Sequence, residues 1–186
     1  MMKNTYLTSH FPLFSIFLFS TAFSLYAESW IVSQLIYFGL YEGMMDFFSE
    51  GGIKLTLLFL LLLLFFMIFS ALKLISDTNI QLSLLFFSKD VEGNDLQRIR
   101  SGSWIFLIAS AVSLLVTQHL ILIVGLFVGA VFIYFVFFLY KVSESMTIMG
   151  MIGMVFFHML FWFTFILTVA YALMKLYNSF IASLPF

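Results

Sequence analysis

Cysteine is absent from all 186 residues, which excludes disulfides, thiolate metal sites and a cysteine nucleophile at once. Charge is nearly as scarce: Asp, Glu, Lys and Arg make up 9% of the chain, against about 25% in soluble domains. The formal net charge is −1, so the overall balance implies no nucleic-acid partner, and only the placement of charges along the chain is informative. Catalytic signatures are missing too. The chain has no Gly-rich phosphate loop, no carboxylate pair inside an apolar run, no HExxH and no serine set with an obvious histidine base. The expectation is a protein that is not an enzyme and uses no cofactor.

What is present is apolar. Hydrophobic residues account for 63% of the chain, and 27 of the residues are Phe, spread over nearly every apolar run. A soluble fold of this size has no core large enough to hide them, whereas a lipid-facing surface suits them. The expected class is all-α: a polytopic integral membrane helix bundle of about five transmembrane helices plus one short interfacial helix, in a single transmembrane domain over residues 1–186.

The first span covers 12–27, with Pro12 in the first turn, where its missing N–H has no helical partner to lose. Lys3, the run from Phe11 and "STA" at Ser20–Ala22 also fit a cleavable signal peptide. The run continues past that site through Phe23, Leu25 and Tyr26, about 17 residues in all, and that length suits a retained anchor. Residues 28–52 read as an outer interfacial segment. The run from Trp30 to Tyr41 is too short to cross, and Trp30, Tyr37, Phe38 and Tyr41 are of the type that settles at the headgroup boundary. Gly51 and Gly52 are expected to end it. The second span, 55–76, lies between Lys54 and Lys73, about one hydrocarbon thickness apart. An inner loop over 77–101 follows, with "LSLLFF" at 82–87 lying against the membrane face.

From Ser101 to Tyr140 there is no charged residue. That stretch as one helix is about 60 Å long, twice the roughly 30 Å hydrocarbon core. Thr117, Gln118 and His119 lie near its midpoint and are solvated at little cost in a turn at the far interface. The stretch therefore divides into spans at 102–117 and 120–140, although no Pro or Gly marks the turn and the first half is short. The fifth span covers 149–174, and the tail "LYNSFIASLPF" rests in the interface. Lys3, Lys73, Lys89, Arg98, Arg100 and Lys141 then fall on one side, and Lys54 and Lys175 on the other. The positive-inside rule puts the N-terminus in the cytoplasm and the C-terminus outside.

No residue stands out as catalytic, cofactor-binding or metal-ligating, but several candidates can be weighed. Glu42, Asp46 and Glu50 recur every four residues, one stripe of a helix, a pattern that suits a hard cation; a solvated polar face explains them more simply. His158 lies within the fifth span, where an ionisable residue is a functional candidate by default. With Met154 four residues before it and Met151 nearby it offers soft ligands for Cu(I), yet Met is also a common gap-filler. Gly125 and Gly129 form a small-xxx-small pair, read as a contact within the bundle before a self-association face. Arg98 and Arg100 suit anionic headgroups or simple topology anchoring, and Asp95 is a candidate N-cap after the Gly93-Asn94 turn.

The blocks "KNTYLTSHFPLFSIFLFS", "AFSLYAESW", "YEGMMDFFSEGGIKL", "LLFFSKDVEG" and "RIRSGSWIFLI" resemble the small YufK-type membrane proteins of Bacillus and relatives. The resemblance implies a bacterial cytoplasmic membrane location and brings no functional residue with it. The reading is an integral membrane protein of unknown activity. A non-catalytic accessory or interaction protein is the first expectation, with the lipid bilayer and a membrane-protein partner or second copy as its contacts. A small cation transporter is the rival, and it requires His158, Gln118 and the span hydroxyls to converge on one path.

Overall fold

The computed structural model describes residues 10–183, all helix, turn or short link. Lys3, counted above among the topology signals, and the last three residues of the tail lie outside the described residues. The described residues form seven α-helices in order: α1 (Phe11–Tyr37), α2 (Leu40–Met45), α3 (Glu50–Phe87), α4 (Asn94–Ile99), α5 (Ser103–Ser113), α6 (Leu120–Val142) and α7 (Ile148–Ala182). A 3-10 turn at Arg100–Gly102 joins α4 to α5, and another at Ser143–Ser145 follows α6.

Four of these helices are long and apolar enough to cross a membrane: Phe11–Tyr37, Glu50–Phe87, Leu120–Ser145 with its 3-10 extension, and Ile148–Ala182. The all-α membrane bundle expected from the sequence is therefore what forms. The helix count differs. The third expected span, 102–117, is a helix of only 11 residues, about 16 Å long. It gains length from behind, because α4 and the 3-10 turn lead into it without a break from Asn94 onward. The expected turn near Thr117 is present as the non-helical link 114–119, with the backbone N–H of His119 donating to Val116 O. His119 then opens α6 in an extended conformation, so the turn needs neither Pro nor Gly.

Two other boundaries are corrected. The segment 28–52 is not one interfacial helix. α1 continues through Trp30 to Tyr37, about 40 Å in all, and ends where Gly39 takes φ +69°, a value that L residues rarely adopt. Only the six-residue α2 remains separate. Gly51 and Gly52 do not end a helix; they lie in the first turn of α3, where the Ser49 hydroxyl accepts from Gly52 N at 3.2 Å. Likewise α3 does not stop at Ser76 but runs on to Phe87, so "LSLLFF" is its last turns rather than a surface segment. The reason is burial: Ile80 and Leu84 face the core, and their packing keeps the helix going past Asp77. The tail also continues α7 to Ala182 instead of lying flat.

Ring contacts fix the arrangement. Phe19 and Phe23 of α1 meet Phe69 and Phe65 of α3, at centroid separations of 5.9 Å for Phe19–Phe69 and 5.5 Å for Phe23–Phe65, so the two helices are antiparallel. Phe127 of α6 closes this cluster at 5.4 Å from Phe19 and 5.1 Å from Phe69. At α1's start Phe11 sits edge-on to Trp104 of α5, 4.4 Å away. A second cluster, Ile80, Leu84, Ile99, Phe138, Val142 and Met154, ties α3, α4, α6 and α7 together at the other level. This rim, where α3 ends and α7 begins, is called the Asp95 rim below. Past His158, α7 has no buried residue through Ser183; its docking is confined to its first three turns.

Candidate functional site

The densest polar arrangement is at the Asp95 rim. Asp95 is only 2% exposed, and its Oδ2 accepts the hydroxyls of Ser88 at 2.8 Å and Ser145 at 2.5 Å. Ser88 is the C-cap of α3 and Ser145 ends the 3-10 turn after α6. One carboxylate thus joins the end of α3, the start of α4 and the approach to α7. The backbone agrees: Lys89 N donates to Ser145 O at 3.0 Å. Asp95 is not the N-cap that the sequence suggested. Gly93, at φ +78°, holds that position without a side chain, and the Asp90 carboxylate does the capping by accepting Asp95 N at 2.6 Å. A carboxylate buried among hydroxyl donors is held in place by them. The same hydroxyls also have other acceptors in reach, Val142 O at 2.8 Å from Ser145 Oγ and Ser145 Oγ at 3.3 Å from Ser88 Oγ, so the carboxylate sits in a shared hydroxyl network.

The two arginines part company. Arg98 Nη1 bonds Glu144 Oε2 at 3.1 Å across to the α6–α7 link, while Arg100 is exposed on the 3-10 turn. Lys73 pairs with Asp77 one turn on, and Lys141 lies over the rings of Phe137 and Tyr140. Along the chain the cations Lys73, Lys89, Arg98, Arg100 and Lys141 are matched in number by Asp77, Asp90, Glu92, Asp95 and Glu144.

His158 is buried at 5% exposure, beside Phe135, Phe138 and Phe157 at centroid distances of 5.4, 5.6 and 6.0 Å. Its Nδ1 is 3.0 Å from Met154 O. A carbonyl only accepts, so Nδ1 donates this bond; among the described residues Nε2 has no partner. Met154 is fully buried in the core cluster, Met151 is half-buried, and Met149 and Met159 are 77% and 66% exposed. The Met-rich run is therefore spread around α7 rather than gathered on one site.

Nor do the polar groups converge as transport requires. Gln118 sits in the link before α6, and His158 packs at Phe135 and Phe138 near the other end of that helix, about 23 Å along it. The buried hydroxyls of Ser15, Ser20, Ser24, Ser83, Ser110 and Ser113 each donate to a carbonyl of their own helix, at 2.6–2.9 Å. They act as small residues that let helices approach. The acidic stripe is broken as well: Glu42 is on α2, Asp46 is its C-cap, and Glu50 opens α3 in an ion pair with Lys54 at 2.6 Å. The non-helical residues 46–49 thus set Glu50 apart from Glu42 and Asp46, which a continuous helix aligns with it.

Gly125 and Gly129 are corrected too. A Cβ built on either meets nothing within 4 Å, so neither is a close contact within the bundle. The glycines that do admit close neighbours from other elements are Gly102, against Tyr134 and Phe137, and Gly150 and Gly153, both against Phe87. Sequence reasoning passed over these three, and also Asn79, which is 1% exposed with neither amide atom paired among the described residues. A lone Asn inside "TNIQLSLLFF" was the available signal, hidden by reading that segment as a loop.

Known proteins agree with the membrane reading. Residues 28–185 match the family described as "Family of unknown function (DUF5366)". The chain is 46% identical over 184 residues, 99% of its own length and 100% of the relative's, to "Uncharacterized membrane protein YufK" of Bacillus subtilis (strain 168). No solved structure matches it. With a family match over most of its length and an end-to-end relative that is a membrane protein, this multi-pass membrane chain belongs to the DUF5366 family.

Proposed function

We propose that the protein is a non-catalytic accessory protein of the bacterial cytoplasmic membrane that works by associating with another transmembrane helix, first of all that of a second copy. The observation that carries this reading is the open glycine pair on α6. Gly125 and Gly129 lie one turn apart with free space where a Cβ would stand, and such a groove lets a second backbone come close. The apolar flank around it is exposed, with Val128 and Phe132 at 57% and 67%. The buried interior, by contrast, holds His158 among aromatic rings and a carboxylate hydrogen-bonded to two serine hydroxyls.

The natural lack of cysteine makes the test direct. Val128→Cys in native membranes under mild oxidation is expected to give a disulfide-linked dimer, and Leu63→Cys, 50% exposed on α3, is expected to give none. A dimer with both, or with neither, refutes the α6 face. Gly129→Ile in the Val128→Cys background is expected to abolish the cross-link while the monomer keeps its helix content.

The same reading puts the N-terminus in the cytoplasm and the C-terminus outside, supported by the distribution of Lys and Arg. Asn94 and Asn178 are both exposed. In intact cells a membrane-impermeant thiol reagent is expected to label Asn178→Cys and spare Asn94→Cys. Labelling of both, or of Asn94→Cys alone, overturns the orientation.

A further inference from the structure

We draw no further inference here: the strongest candidate, the buried amide of Asn79 beside Ile80 on the core side of α3, has no hydrogen-bond partner among the described residues, and nothing in the structure shows what group or ligand meets it.

Discussion

Adding a single methyl group at each of three glycines separates the bundle contacts from the open surface. In Gly102→Ala the new Cβ stands 2.6 and 2.8 Å from two ring atoms of Tyr134 and 2.9 Å from Cδ1 of Phe137. Carbon pairs are comfortable at about 3.5–4.0 Å, so both rings have to retreat. Tyr134 has little room, since its ring already packs 5.4 Å from Phe106 and 6.5 Å from Phe137. Overpacking of this kind costs about 1–3 kcal/mol. The Ala-over-Gly helix preference, up to about 1 kcal/mol, offsets part of it, and less in a 3-10 turn than in a regular helix. The expected net loss is about 1–2 kcal/mol. For Gly125→Ala and Gly129→Ala no clash opposes the propensity gain, and stability is expected to stay level or rise by up to about 1 kcal/mol. Reversible unfolding of the purified monomer in detergent reads this, with Trp104, packed on Phe11 at the start of α5, as the fluorescent probe. Phe137→Leu combined with Gly102→Ala relieves one of the two rings and is expected to couple to it by at least about 0.5 kcal/mol. If Gly102→Ala unfolds like the parent while Gly125→Ala or Gly129→Ala loses more than about 1 kcal/mol, the packing described for the α5–α6 hairpin is wrong.

The remaining stability predictions use the same assay. Asp95→Ala removes both serine bonds to the buried carboxylate; a loss of about 2–3 kcal/mol is expected, with a smaller loss for Asp95→Asn. Arg98→Gln breaks only an exposed pair and is expected to cost no more than about 1 kcal/mol; equal effects from Asp95→Ala and Arg98→Gln contradict the central place given to the buried carboxylate. Asn79→Leu removes a buried amide that no described residue satisfies. An unpaired group of that kind costs about 1–3 kcal/mol, so the variant is expected to match or exceed the parent's stability, and a clear loss shows that the amide has a partner.

The class of fold was legible from composition. Apolar runs of span length with so little charge leave helices in lipid as the solution, and the turn near Thr117 followed from the mismatch between forty residues and one bilayer. Helix ends were harder to read. The sequence stops α3 at Asp77 because charge begins there, but Asp77 is held by Lys73 one turn earlier and Ile80 and Leu84 are wanted in the core, so the helix goes on. The same local cue ended α1 too early at Glu28, when nothing breaks it before Gly39.

Side-chain roles were harder still, because they depend on partners distant in the chain. Asp95 reads locally as a helix cap; only the fold brings Ser145 to it from fifty residues away. The Gly125–Gly129 pair has the spacing of a contact, whereas Gly102, Gly150 and Gly153 make the contacts because Tyr134, Phe137 and Phe87 happen to face them. Solvent preference and period are properties of the chain itself, so the sequence alone determined that this protein lives in a membrane as helices. Which faces those helices turn to one another is settled by long-range packing, and so the knot at Asp95, the boxed His158 and the unpaired Asn79 belong to the tertiary structure.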